Sequence, residues 1–174
     1  MAIIGVMGSG RCEWVEWAEP LGRRIAGAGY DLLTGGGQGV MRSSARAFSE
    51  TPRRRGRSIG IVPTRSDSRH GFVALDGYPN PYIEIPILTP LPRREADAPD
   101  GALSRNYVNV LSSDVVIALP GGQGTRDEIA LARRFGKPLI CFGPAAAFEF
   151  LPGDVEYTDE LEVVLRFIVS RLPG

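Results

Sequence analysis

Histidine, cysteine and lysine are scarce in this chain of 174 residues: one histidine, two cysteines and, among twenty basic side chains, a single lysine. Each scarcity excludes a kind of chemistry. His70 has no cluster of Cys or carboxylate neighbours, which makes it a poor metal ligand, and no metal site is assigned. Cys12 and Cys141 lack C-x-x-C spacing, so neither a disulfide nor a metal pair is expected, and Cys141 in "PLICF" reads as a small buried apolar residue. Lys137 sits in "GKP", with no Ser or Thr after it, which excludes a P-loop lysine; a turn leading into a strand also suits no Schiff base. Long apolar runs are missing too. "MAIIGVMGSG" has no charged n-region and is too short to span a bilayer, so neither signal peptide nor anchor is expected and a cytoplasmic location follows by default. Charge of one sign is also lacking: twenty acidic side chains balance twenty basic ones. No global field draws the chain to nucleic acid or to an anionic membrane, and any anion site must be local.

What is present is a succession of short apolar, β-branched runs: Ala2 to Met7, Tyr30 to Thr34, Ser58 to Pro63, Tyr82 to Leu88, Asp114 to Leu119 and Pro138 to Phe142. Helical patterns separate several of them. Trp14, Trp17, Leu21, Ile25 and Ala28 share one helical face, with Pro20 blurring where that helix starts. Leu161, Val164, Leu165, Ile168 and Leu172 share another, with Thr158 as the expected cap. This order predicts a doubly wound, mostly parallel α/β sheet of Rossmann type with helices on both faces, one domain over residues 1–174. Thr64 to Pro81 and Thr89 to Asp100, rich in proline, glycine and charge, read as long surface loops. "RRRGR", Arg53 to Arg57, reads as a solvated helix end or subunit contact.

Three of the runs end in glycine-rich turns: "GSG" (Gly8, Ser9, Gly10), "GGGQGVM" (with Gly36, Gly37, Gly39, Val40 and Met41) and "PGGQGT" (with Gly121, Gly122, Gly124 and Thr125). Ligands of open parallel sheets bind at the carboxyl ends of strands, so the three turns predict one shared pocket. Glycine lets the backbone approach a phosphate, and the free N–H groups of the following helix donate to it. The residues alone leave other readings open. A strand-to-helix turn needs glycine for packing as well, and Thr125-x-x-Glu128 has the form of a capping box in which Glu128 bonds back to the Thr125 N–H. Arg105 reads equally as a solvated arginine on a helix that carries Leu103, Tyr107, Val110 and Leu111.

"GGGQGVM", then "SRN", then "PGGQGTRDE" resembles the LOG-like superfamily of Rossmann proteins. Its members include cytokinin-nucleotide phosphoribohydrolases, molybdenum cofactor carriers and proteins once labelled lysine decarboxylases. The resemblance runs from Ile3 to about Phe142. It implies a catalytic pair, Arg105 and Glu128, whose separation of 128 − 105 = 23 positions fits the hydrolase branch. In that branch Glu128 would stabilise a ribosyl cation or activate water, and Arg105 would orient Glu128 and the phosphate of an AMP-like nucleotide. The phosphate would rest on the N–H groups of Gly121 to Thr125 and of Gly36 to Gly39, with the Thr125 hydroxyl as a further donor. No cofactor is needed for that hydrolysis. Asn106, standing where the hydrolase pattern has lysine, instead resembles the carrier branch, which implies a binding protein for a phosphorylated pterin such as molybdopterin, with the molybdenum cofactor as carried ligand. The resemblance also implies a homodimer or homotetramer.

Overall fold

The computed structural model describes residues 1–93 and 103–172. Eight strands form one sheet. β1 (Ile3–Met7), β2 (Asp31–Thr34), β3 (Ser58–Asp67), β5 (Ile85–Thr89), β6 (Val115–Ala118), β7 (Leu139–Phe142) and β8 (Glu156–Thr158) are parallel, and only β4 (Gly71–Ala74) is antiparallel, to β3. The order is β4-β3-β2-β1-β6-β7-β8, with β5 also paired to β3. The chain therefore winds outward from β1 through β2 and β3, then returns to the other side of β1 for β6, β7 and β8. The crevice at the carboxyl ends of β1 and β6 is the switch point of a doubly wound sheet.

Strand alternation sorts the core into two faces. Ile4 and Val6 of β1, with Val115, Ile117, Ile140 and Phe142 of β6 and β7, point to α1 (Val15–Gly27), α2 (Val40–Ser49) and α5 (Leu161–Arg171). Met7, Leu33, Ile61 and Val116 point the other way, to α3 (Arg105–Leu111) and α4 (Gln123–Arg134). Near its outer end this second face is completed by Ala118, Cys141, Ile129 and Phe148. Cys141 is buried there, and desolvation pushes its thiol up to about 12.

Several expectations are corrected. The segment Thr64 to Pro81 is not one long loop: β3 continues to Asp67 and pairs with β4 in a hairpin. Its turn is built by the Asp67 carboxylate, which accepts the N–H groups of Arg69 and His70 at 2.9 Å each, and by Gly71 at φ 75°. Polar residues mask the strand because no apolar alternation marks it. Of the second expected loop, residues 94–100 lie outside the described residues. Thr158 does not cap α5. It ends β8, its hydroxyl accepts the Glu160 N–H at 3.0 Å, and Glu160 itself precedes the helix. Pro20 lies inside α1, which begins at Val15, so that proline removes one interior hydrogen bond without ending the helix. Of the two readings of Arg105, the solvated one does not hold: Arg105, Asn106 and Asn109 are buried, as is Val110 of the apolar face, while Leu103, before the helix, and Leu111 are 61% and 43% exposed. Arg54 and Arg57 of the arginine-rich stretch pair with Glu84, and Arg54 also lies over the Phe48 ring.

Helices α1 and α2 meet at Gly22, where a Cβ would land on the Ser44 carbonyl oxygen and within 3.3 Å of the Phe48 nitrogen. Backbone cannot yield there as a side-chain end would. Gly22→Ala is therefore expected to lose about 1–3 kcal/mol through overpacking despite its better helix propensity. A urea midpoint unchanged from wild type contradicts this close packing.

Candidate functional site

The first turn holds the other two together. Ser9 donates its N–H to the Pro120 carbonyl at 3.1 Å and its carbonyl accepts the Val40 N–H at 2.9 Å, so the backbone of one residue links the turn after β6 to the start of α2. Its hydroxyl accepts the N–H groups of Arg11 and Cys12 at 3.1 and 2.9 Å. Gly39 takes φ 64°, and a Cβ there would strike the Ser9 carbonyl oxygen. That glycine serves the joint between turns and not a ligand.

Beside this joint lies a cavity of about 690 Å³, within the size range of small-molecule sites. Of the residues singled out in the sequence, Gly8, Ser9, Gly10, Met41, Arg105, Gly122, Gly124, Thr125 and Glu128 line it. Gly36, Gly37, Gly39, Val40 and Gly121 do not. The Gly36 N–H is taken by the Thr34 hydroxyl at 3.1 Å and the Gly37 N–H by the Met41 sulfur at 3.4 Å. The second turn thus spends those donors on its own folding. Gly121 packs against the Thr125 side chain.

The third turn is arranged differently. Helix α4 begins at Gln123 after Gly122, and its first backbone bond runs from the Arg126 N–H to the Gly122 carbonyl at 3.1 Å. Among the described residues no acceptor meets the N–H groups of Gly122, Gln123, Gly124 and Thr125. These are the orphan donors of a helix start, and they carry its positive partial charge. No side chain caps α4. The capping box is not formed, because the helix starts two residues before Thr125 and leaves Glu128 inside the second turn. At Gly122 φ is −91°, and a Cβ there would meet nothing within 4 Å.

Arg105 is 7% exposed. Its Nη1 donates to the carbonyls of Ile61, at 2.8 Å, and Gly35; Nη2 reaches the Tyr78 hydroxyl at 3.4 Å, and the guanidinium lies 5.2 Å from the Tyr78 ring centre. Burial pulls its pKa below the ordinary value, with Tyr78 and Glu128 acting in the opposite direction. Arg105 makes no ion pair with Glu128, so the expected arginine–glutamate partnership is replaced by carbonyl oxygens and an aromatic face. Glu128 accepts instead from Asn109 Nδ2 at 2.9 Å. Desolvation raises it to about 7, against the lowering effects of the Asn109 bond and the Arg105 charge, and Asp127 adds to the rise. Asn106 Nδ2 donates to Asp127 Oδ2 at 2.9 Å and to the Gly124 carbonyl at 3.3 Å, tying α3 to the first turn of α4.

Sequence reasoning missed Asp76, Tyr78 and Arg93, which line the cavity, and Asn109, which holds Glu128. The first three come from a stretch read as loop. Asn109 carried a usable signal: it lies four residues after Arg105 and so on the same helical face.

The sheet order and the cavity at its switch point define a Rossmann-like protein of the LOG type. A family model described as the SLOG cluster4 family matches residues 1–164, and the chain belongs to that family. Its fold is similar to the molybdenum cofactor carrier protein of Chlamydomonas reinhardtii, at TM-score 0.70 and 29% identity, covering 98% of this chain and 97% of that one. The molybdenum cofactor binding protein of Rippkaea orientalis is similar at TM-score 0.70 and 32% identity, covering 97% and 96%. In sequence, the cytokinin riboside 5'-monophosphate phosphoribohydrolase of Mycobacterium tuberculosis is 28% identical over 152 residues, 80% of this chain and 67% of that protein.

A carboxyl raised from 4.5 to about 7 in the folded state destabilises the protein as pH rises through that window, because the unfolded chain ionises first. The loss is on the order of 3 kcal/mol between about pH 4.5 and pH 8. Glu128→Gln keeps an acceptor for Asn109 and removes the titration. Its stability relative to wild type is expected to rise with pH over this range, read from denaturation at several pH values. A difference independent of pH contradicts the burial of an ionisable group at this position.

Proposed function

We propose that the chain binds a phosphorylated small molecule of the molybdenum cofactor class in the 690 Å³ cavity and releases it unchanged. The observation that carries this reading is the contrast between the two ends of α4's first turns. The N–H groups of Gly122 to Thr125 meet no acceptor among the described residues, and Gly122, Gly124 and Thr125 line the cavity together with Arg105, a ready anion seat. Glu128, the one carboxylate to which hydrolysis was assigned, is tied to Asn109 and lacks the arginine partner. Asn106 is likewise committed to Asp127 and the Gly124 carbonyl, so it offers nothing to a leaving group. The two carrier-type proteins named above support the reading, since each is matched over nearly its whole length. A homodimer or homotetramer without nucleic acid, acting in the cytoplasm, completes the proposal; no helix among the described residues is long and apolar enough to cross a membrane.

Hydrolysis of a nucleoside 5′-monophosphate is the second reading. It is favoured by the value near 7 at Glu128, where a general acid or base is most effective, and by the phosphoribohydrolase relative. Incubation of the pure protein with AMP separates the two. The binding reading expects no free adenine above the uncatalysed rate, together with calorimetric binding of a molybdopterin-type ligand. Adenine release that disappears in Glu128→Gln overturns it in favour of the hydrolase.

Gly122→Val tests the seat itself. Its backbone angles suit any residue and its Cβ meets open space, so the variant is expected to fold as wild type while its side chain obstructs the anion. Affinity for a phosphorylated ligand should fall at least about tenfold, a loss of roughly 1.4 kcal/mol, by calorimetry. A folded variant that binds as tightly as wild type removes the phosphate seat from this position.

A further inference from the structure

We propose that Asn109 holds Glu128 as a neutral acid through a two-point amide–acid pair, and that this pair keeps a negative charge away from a phosphate bound at the start of α4. The second half rests on the binding reading above. Asn109 Nδ2 donates to Glu128 Oε1 at 2.9 Å, while the other end of the same amide, Oδ1, is buried and meets no hydrogen-bond partner among the described residues. An ionised carboxylate only accepts. It satisfies Nδ2 and leaves Oδ1 stranded, a buried acceptor without a donor. A protonated carboxyl presents one O–H and one C=O side by side, so it can donate to Oδ1 while accepting from Nδ2. Reversing the amide does not help the ionised form, because Oδ1 would then face a carboxylate oxygen. The proton is the one change within these two side chains that satisfies every polar atom of the pair.

The charges around Glu128 are divided. Arg105, one turn earlier than Asn109 on α3, favours the ionised form; Asp127, the preceding residue of α4, opposes it; Arg93 and Tyr78 act on Arg105. Burial outweighs both the Asn109 N–H bond and the arginine, each of which favours the carboxylate, and the stranded Oδ1 acts on the side of burial. An O–H committed to Asn109 is not offered to a ligand, and a neutral acid is no base, so the pair also accounts for a ligand held unchanged. Asn109 is in this sense a positioning residue.

Infrared difference spectra between about pH 6 and pH 9 read the proton directly. The expected signature is the carbonyl stretch of a protonated carboxyl that is lost at high pH and absent from Glu128→Gln. In Asn109→Leu it should move to higher frequency as its hydrogen bonds disappear. Sulfate, which does not titrate in this range, is the probe for the cavity. Wild-type affinity by calorimetry should fall roughly tenfold as Glu128 ionises, and that of Glu128→Gln should not change. Absence of the band at low pH, or a band unmoved by Asn109→Leu, overturns the pair. Should Asn109→Leu fail to fold, an identical pH dependence of sulfate affinity in wild type and Glu128→Gln overturns it instead. The band present with no sulfate binding at any pH overturns the phosphate seat and leaves the pair standing.

Discussion

The backbone of Ser9 is the constraint on which the cavity depends. By donating to Pro120 and accepting from Val40 it fixes the distance between the turns that follow β1 and β6 and the start of α2. The start of α4 thereby opens on the crevice where the strand order reverses, while the start of α2 is spent on the joint. Gly39 permits this joint because no Cβ fits against the Ser9 carbonyl. Gly121 serves the same joint from the other side, since a Cβ there would crowd both the Ser9 nitrogen, at 2.9 Å, and Thr125. The glycine-rich turns therefore divide their labour. Gly39 and Gly121 are held by the backbone of the first turn, Gly8, Gly35 and Gly37 by neighbouring side chains, and Gly122 and Gly124 are the ones with open space in front of them.

The electrostatic design follows from that joint. Arg105 is buried without a carboxylate partner among the described residues, a costly arrangement that carbonyl oxygens and the Tyr78 ring offset only in part. An anion seated at the start of α4 would complete its compensation. A second negative charge at Glu128 would compete with that anion in a low-dielectric setting, where like charges are least tolerated. Burial works against that charge, and in the proposed acid–amide pair the stranded Asn109 Oδ1 does so too. The same burial makes Glu128 a burden on stability near neutral pH, the pattern expected where a site is maintained at the expense of the fold.

Much of the fold was legible from residue order. The β-branched runs of β1, β2, β6 and β7 are buried on both faces, so they stand out as continuous apolar strings, and the helices between them imply parallel pairing. β4, the outer half of β3 and β8 were not legible. They are short, partly exposed edge elements, the outer half of β3 and β8 largely polar and β4 only four residues long, that their neighbours select and their own side chains do not. α3 was legible in part. Tyr107 and Val110 pack on the core as their spacing implies, but the same helix also buries Arg105, Asn106 and Asn109, and local spacing does not tell which of its polar residues turn inward.

The sequence by itself determined the sheet class, the three glycine-rich turns at strand ends and the identity of Arg105 and Glu128 as neighbours of a common crevice. Tertiary structure decided which donors remain free. Whether an N–H is spent on a Thr34 hydroxyl, on a Met41 sulfur or on nothing depends on contacts across turns, which local spacing does not encode. It also decided that Glu128 answers to Asn109 and not to Arg105. On the chain, Arg105 and Asn109 are equally plausible partners, and only the way α3 docks on α4 turns the arginine toward Gly35, Ile61 and Tyr78 and leaves the amide facing the carboxyl.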